Sequence, residues 1–387
     1  MRKLSAIFRG DKYIWVVFIA LSVVSVLAVY TSIGFTARHT GRTPLMATLK
    51  HVAFIGAGYL CVWFGGRINY KYYARFSRLA YIASVVILFV VLVIFGSRWI
   101  RIPVISSFQP SEIAKICLVF LMATILSQYK DRVEDKYYVP VALVPVLITC
   151  GLIFPENLSS AIITFVVCVI MMFVAGARKS SLAKCLLVIV MAGVIFALVS
   201  VSLDKPLFRS ETWASRVDKW LHPDPSVYNQ ENMARMAVAR GGLVGAGIGN
   251  TIHGRLMTQS HNDFIYAVIV EEAGSLFGLL ILAAYSVLYL RCLVVARHSD
   301  KLFGKLICVG IGTLVYVQAL VHISVSVGVI PVTGQTLPFV SYGGSAYISM
   351  CIGLGAVQSV AQEVRRRERR AEMDAAAKPS QEAAPAV

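Results

Sequence analysis

Few residues of this chain combine reactive chemistry with an unusual position, and they are acids and bases set against apolar sequence. Asp263 opens a long apolar run, and Glu271 and Glu272 follow it about two helical turns further in. Glu112 and Lys115 stand one turn apart at the start of another run, so a helix there puts them on one face. Charges in such places are costly and need a partner or a function. Asp263 has two readings: an acid favoured by the dipole at a helix N-terminus, or a carboxylate poised at a membrane surface. Glu112 and Lys115 can form a structural ion pair, or one of them can line a substrate cavity. Glu271 and Glu272 are expected to lie deeper, held by structural hydrogen bonds. A second group is basic: Lys205, Arg209, Arg216, Lys219, Arg235, Arg240 and Arg255 fall in the only long polar stretch between apolar runs, about 204–262. An anionic ligand would explain them; so would plain solvation or contact with anionic headgroups.

The elements that must position these groups are membrane-spanning helices. The chain is 57% hydrophobic and 15% charged, against roughly 25% charged in soluble domains. Tyr13–Phe35, Phe76–Gly96, Leu158–Gly176 and Ala183–Leu203 each supply the roughly 20 apolar residues that a bilayer requires. The expectation is an all-α polytopic membrane protein with ten spans, at 13–35, 47–65, 76–96, 111–129, 137–154, 158–176, 183–203, 263–295, 303–330 and 342–363. Residues 1–363 form one membrane domain with a large extracytoplasmic loop between spans 7 and 8, and 364–387 a basic, disordered tail. The first run is too long for a cleavable signal peptide and lacks the small-residue site.

Lys and Arg concentrate in alternate short loops: Arg67, Lys71, Arg75 and Arg78; Lys130, Arg132 and Lys136; Arg178, Lys179 and Lys184; Arg291, Arg297, Lys301 and Lys305; and the run from Arg365 to Arg370. The positive-inside tendency puts both termini in the cytoplasm. The net charge of +17 then points to membrane lipid, with no nucleic-acid partner. The eight cysteines form no CxxC pair and read as small core residues; the seven histidines show no ligand spacing.

Two stretches break the helical pattern. Gly241–Gly249 follows no strand and lacks GKS or GKT, so it reads as flexible or close-packed backbone rather than a nucleotide loop. Pro331–Phe339 is turn-rich at membrane depth, and Tyr342-Gly343-Gly344-Ser345 restarts the helix. Irregular backbone is tolerated at that depth only where it is buried in protein or lines a cavity.

At these same places the sequence resembles the SEDS family (shape, elongation, division and sporulation), the peptidoglycan polymerases of bacteria. The resemblance rests on FQPSEIAK at 108–115, the long outer loop, SHNDFIYAVIVEEAG at 260–274 and GVIPVTGQTLPFVSYGGS at 328–345, and it covers nearly all ten spans in order. Gly10-Asp11-Lys12-Tyr13 and the basic tail favour the division branch over the elongation branch.

The resemblance implies a glycosyltransferase that polymerises lipid II, with undecaprenyl pyrophosphate as leaving group. It makes Asp263 the leading catalytic candidate, as general base on the acceptor hydroxyl. Substrate-binding candidates are Lys115, Glu112, Arg216, Gln230, Arg240, His261, Thr333, Ser341 and Ser345; Arg216, Arg240 and Lys115 are those suited to the pyrophosphate. No metal ligands are assigned, although a divalent cation, Mg or Mn, has room in the chemistry. A lone carboxylate argues against glycoside hydrolysis, which takes an acid and base pair. The implied partners are a class B penicillin-binding protein transpeptidase and other divisome proteins, at the septum of the cell inner membrane.

The family pattern is not matched throughout. Thr258-Gln259 stand where Pro-Glu is usual, Met233-Ala234 where Gln-Ser is common, Asn157-Leu158-Ser159-Ser160 for Asp-Leu-Gly-Thr, and His322 for an Asn. Two other readings remain: a lipid-linked precursor flippase, whose critical carboxylate would lie near the midplane, and a non-catalytic division scaffold.

Overall fold

The computed structural model describes residues 9–33, 43–95, 100–102, 106–132, 135, 137–202, 210–222 and 229–382. Ten helices correspond to the ten expected spans: α1 Lys12–Ser32, α2 Pro44–Arg67, α3 Tyr70–Val90, α4 Pro110–Gln128, α5 Tyr138–Ile153, α6 Leu158–Val174, α7 Lys179–Ser202, α11 Ile265–His298, α12 Leu302–Ser326 and α13 Gly344–Glu382. Seven of them are long and apolar enough to cross a membrane by length and composition, and α5 and α6 are shorter apolar helices. Between α7 and α11 lie α8 Ser210–Leu221, α9 Gln230–Gly241 and the single turn α10 His253–Leu256. The expected polar loop is therefore largely helical where it is described. Lys205 and Arg209 lie outside the described residues.

Three further features refine the expectation. Strands β1 Ile100–Ile102 and β2 Ser106–Phe108 pair antiparallel, with Ile100 opposite Phe108, a small addition to an all-α membrane fold. The twelfth helix, α12, stops at Ser326, and residues 327–343 carry no helix. Residues 364–382 of the tail expected to be disordered are helical in this structure, as a continuation of α13. Its composition explains this, since Arg, Glu, Met and Ala are good helix formers, and they extend a helix already nucleated in the bundle.

The chain enters α1 and passes out through α13 at one end of the bundle, which we call the terminal end; the opposite, loop-bearing end holds 242–264 and 327–343. The bundle is centred on α4, α12 and α13, whose Leu118, Met122, Leu306, Ile307, Cys308, Leu354 and Val357 are fully or nearly fully buried. At the terminal end a polar clamp closes it. Asp11 caps α1 by accepting from the amides of Tyr13 and Ile14, pairs with Arg291 of α11, and exchanges two backbone hydrogen bonds with the Gln358 amide of α13. The Gly10–Tyr13 motif is thus a joint between three helices.

Candidate active site at the loop-bearing end

The site is built on two breaks in the helices. The first is in α11, where Gly274 adopts φ +84°. The amides of Ser275 and Leu276 donate not to the preceding turn but to the carbonyls of Gly242 (2.9 Å) and Leu243 (3.3 Å). The carbonyls of Glu271 and Glu272 accept instead from Ala246 and Gly247, each at 2.9 Å. A stretch of loop backbone has been inserted into the helical ladder, which is a recognised cause of a kink. Glycine is required for the approach: a Cβ on Gly245 would sit 2.3 Å from Glu272 O, and one on Gly274 2.3 Å from Leu243 O. Gly241–Gly249 is close-packed backbone, one of the two sequence readings.

Glu271 secures this insertion. Its carboxylate is wholly buried and accepts from Thr251 Oγ1, the amides of Ile252 (3.1 Å), His253 (3.2 Å) and Gly254 (3.3 Å), His253 Nδ1 (2.9 Å) and Arg240 Nη1 (2.9 Å). Arg240 also donates to Asn250 O. Its charge is thereby matched within the protein, so Arg240 organises the loop rather than waiting for a pyrophosphate. Glu272 accepts from Thr31 Oγ1 at 3.1 Å. Thr31 lies 20 residues beyond Asp11, about 30 Å along α1, so both glutamates lie at the far boundary of the hydrocarbon, shallower than expected and away from the midplane.

The second break is residues 327–343 between α12 and α13. Side chains from four helices hold its carbonyls: Trp220 Nε1 donates to Gly328 O (3.0 Å) and Arg216 Nη1 to Val332 O (3.2 Å) from α8; His322 Nδ1 donates to Gln335 O (2.8 Å) and Gln318 Nε2 to Thr336 O (3.0 Å) from α12; Tyr285 of α11 donates to Pro338 O; Ser25 of α1 donates to Val340 O (2.7 Å). Ser25 has one proton, so His51 Nε2, 2.7 Å away, is the donor in that contact. Phe339, at φ +63°, is buried against Phe18 and Tyr347. These six carbonyls are satisfied within the protein, as a bilayer demands of backbone at this depth.

Residues 260–263 are laid across this segment. Ser260 Oγ donates to Ser32 O (3.1 Å), the Tyr342 amide to His261 O (2.9 Å), and Ser341 Oγ to Asn262 O (2.8 Å) while accepting from the Leu337 amide (2.7 Å). The Asp263 amide donates to Gln259 O at 3.0 Å. Asp263 is half-buried, just before α11, with its carboxylate towards Gly334: a Cβ on that glycine would lie 3.8 Å from Oδ2. His261 is buried beside Tyr342, with Nδ1 unbonded, and burial lowers its pKa to about 4. The imidazole is neutral at physiological pH.

Beside Gly334 a small open cleft of about 110 Å³ is lined by Glu156, Asn157, Ser159, Trp213, Arg216 and Thr333, among others. Thr333 Oγ1 is buried without a bond. Asn157 caps α6 by accepting from the Ser160 amide (3.0 Å) and also accepts from Gln335 Nε2 (3.0 Å). Its amide keeps the capping acceptor that the family's Asp would supply, without the charge.

Of the sequence candidates, Arg216 and Thr333 line this cleft, and Asp263 faces Gly334, the residue next to Thr333. His261 and Ser341 shape the Asp263 backbone. Gln230 donates to Thr258 Oγ1, tying α9 to the turn before Asp263. Ser345 Oγ accepts from the Gln109 amide at 3.2 Å, joining α13 to the start of α4. Lys115 and Glu112 are buried together, Nζ to Oε1 2.8 Å, with Gln318 Oε1 3.5 Å from the same ammonium. They form the structural ion pair, and the cation is spoken for. Sequence reasoning missed Ser25, His51, Asn157, Tyr285, Gln318 and Gln335 as supports. The available signal was polar side chains inside apolar runs, where only the formal charges drew notice.

A helical membrane bundle with a carboxylate mounted between two broken helices defines a class. Residues 11–366 match the family model for the FtsW, RodA and SpoVE cell cycle proteins, so the chain belongs to that family, the SEDS family of the motifs above. It is 28% identical over 366 residues to a probable peptidoglycan glycosyltransferase FtsW of Coxiella burnetii, covering 90% of this chain and 96% of that one. It is 28% identical over 364 residues to the stage V sporulation protein E of Bacillus subtilis, covering 91% and 97%. Among solved structures, a chain of a peptidoglycan synthase complex aligns with TM-score 0.72 at 22% identity, covering 92% of this chain and 98% of that one. The Thermus thermophilus rod shape determining protein RodA aligns with TM-score 0.63, also at 22% identity, covering 92% and 97%. These two likenesses support the ten-helix fold.

Proposed function

We propose that this chain is a peptidoglycan glycosyltransferase that polymerises lipid II at the outer face of the inner membrane during septal wall synthesis. The observation that carries the reading is Asp263, fixed in backbone by three neighbouring elements and directed at the irregular segment beside an open polar cleft. In this reading the Asp263 carboxylate takes the proton from the 4-hydroxyl of the acceptor GlcNAc as that oxygen attacks C1 of the donor MurNAc. The configuration at C1 inverts, and undecaprenyl pyrophosphate departs with the bonding electrons. An activated leaving group needs no general acid, which fits a single carboxylate. Arg216 is the cation best placed to stabilise the developing pyrophosphate charge, because Arg240 and Lys115 are ion-paired to Glu271 and Glu112.

A divalent cation would find little here: no group of three His, Cys, Asp or Glu forms among the described residues, and Thr258-Gln259 supply no second carboxylate beside Asp263. The reading assigns no step to a metal. The partner proposed is a class B penicillin-binding protein transpeptidase, supported by the likeness to a chain of a peptidoglycan synthase complex. A flippase is less favoured, since Glu271 and Glu272 lie at the membrane boundary, with Glu271 committed to the loop and Glu272 bonded to Thr31 of α1. Polymerisation of purified lipid II by the chain with its partner tests the proposal. Glycan strands from wild type and none from Asp263→Ala or Asp263→Asn are expected; strands made equally well by both variants remove Asp263 as the base. Absence of strands from folded, partner-bound wild type favours the flippase or scaffold.

A further inference from the structure

The loop between α9 and α11 exposes apolar side chains that a water-facing loop would hide. Leu243 is 69% exposed, Val244 80% and Ile248 70%. Each is large and none is enclosed by the rest of the chain. The exposed face of α11 below the kink continues the same surface, through Leu276 (57%), Leu279 (59%) and Leu280 (64%).

Depth decides what covers them. Arg291 pairs with Asp11 at the terminal end of the bundle. Leu276 stands 15 residues earlier on the uninterrupted part of α11, about 22 Å away along the helix axis. The hydrocarbon layer is about 30 Å thick, so Leu276 is still inside it. Leu243 is hydrogen-bonded through its carbonyl to the Leu276 amide, and so lies at the same level. A second measure agrees: Glu272 meets Thr31 about 30 Å along α1 from Asp11, which puts Glu272 at the boundary and Leu276 about one turn inside it.

Backbone accounting supports the same placement. In hydrocarbon an unsatisfied peptide group costs several kcal/mol. The carbonyls of Gly242 and Leu243 and the amides of Ala246 and Gly247 are bonded to α11, the Gly245 amide to Gly241 O, and the Ala246 carbonyl to Asn250 Nδ2. Arg255 donates to Gly249 O and Arg240 to Asn250 O, which leaves the cationic groups at the edge of the turn rather than at its apolar tip. An apolar tip with a basic rim is the arrangement that suits an interfacial membrane element.

We propose that the glycine-rich turn Leu243–Ile248 is a membrane-inserted element: it enters the acyl region of the leaflet at the loop-bearing end, with Arg240 and Arg255 at headgroup level. Its occupant is lipid, and the turn fixes the height of α11, and so of Asp263, relative to the bilayer. The placement stands apart from the catalytic reading.

The test is made on the full-length chain in nanodiscs of phosphatidylethanolamine and phosphatidylglycerol. A genetically encoded fluorescent amino acid replaces Val244 or Ile248 singly, with Leu279 as the lipid-facing reference and the exposed Thr258 as the aqueous one. Acyl-chain doxyl lipid is expected to quench at Val244 and Ile248 to within about twofold of Leu279, and iodide several-fold less than at Thr258. Iodide quenching equal to that at Thr258 without a doxyl effect places the turn in water and overturns the proposal. Protection from both quenchers means that protein covers the turn, and overturns it equally. Two independent positions guard against a local disturbance by either substitution.

Discussion

The buried pair of Lys115 and Glu112 offers a quantitative test. Lys115 is 0% exposed and Glu112 5%. The ammonium has Glu112 Oε1 at 2.8 Å and Gln318 Oε1 at 3.5 Å, while Glu112 Oε2 has no hydrogen-bond partner. Lys115→Met keeps the length of the side chain and removes the charge. It leaves a buried carboxylate with neither oxygen matched by a cation, which costs about 3–5 kcal/mol. Glu112→Gln leaves the buried ammonium without a counter-charge, although the amide oxygen can still accept from it, and should also cost about 3–5 kcal/mol. The double variant removes both charges and should recover at least half of the Lys115→Met loss, since replacing a buried pair with matched neutral groups is often close to neutral. Detergent-driven unfolding of the purified chain measures all four corners of the cycle. Additive losses, with the double variant as weak as the sum of the singles, would refute the structural assignment, as would a Lys115→Met chain as stable as wild type. Lipid II polymerisation by the same four proteins separates the roles. Activity that recovers with stability leaves the pair structural; activity lost despite recovered stability puts Lys115 in the chemistry.

Other outcomes follow from the same geometry. Gly245→Ala and Gly274→Ala put a methyl 2.3 Å from backbone oxygens and should each cost several kcal/mol in thermal unfolding, about 3 or more, whereas Gly151→Ala meets open space and should not destabilise. Glu271→Gln removes the charge that gathers six donors and should raise hydrogen exchange across 242–256 by at least tenfold, a loss of about 1.4 kcal/mol or more. His261 has its pKa lowered by burial to about 4. It is neutral when folded while the unfolded chain takes a proton near pH 6.5. The stability due to the neutral histidine is therefore present above pH 6.5 and is lost as pH falls towards 4, by up to about 3 kcal/mol. A His261→Asn variant should show a shallower acid limb in pH-dependent melting, and an unchanged limb would contradict the burial argument.

The ten helices were legible because uninterrupted apolar runs carry their own length standard, the thickness of a bilayer. Asp263 was legible too, but its assignment needed the resemblance, since helix acid and base look alike in one dimension. The pairing of Lys115 with Glu112 was legible, since one helical turn separates them. What the sequence could not disclose was long-range pairing: Arg240 looked like a phosphate ligand because its neutralising partner, Glu271, lies 31 residues away and could have faced elsewhere. Glu271 and Glu272 were expected deeper because a kink at Gly274 leaves no mark on hydropathy. The tail looked disordered by composition alone, but helix propensity and attachment to a formed helix decided otherwise.

The irregular segment after α12 has a consequence beyond its geometry. Its carbonyls are gripped by Trp220, Arg216, His322, Gln318, Tyr285 and Ser25, so its path is specified largely by letters written elsewhere in the chain. Substitutions far away in sequence, in α1, α8, α11 or α12, can retune the cleft while residues 327–343 stay untouched. A comparison of relatives confined to that segment would score two such proteins as identical at the site and miss what distinguishes them.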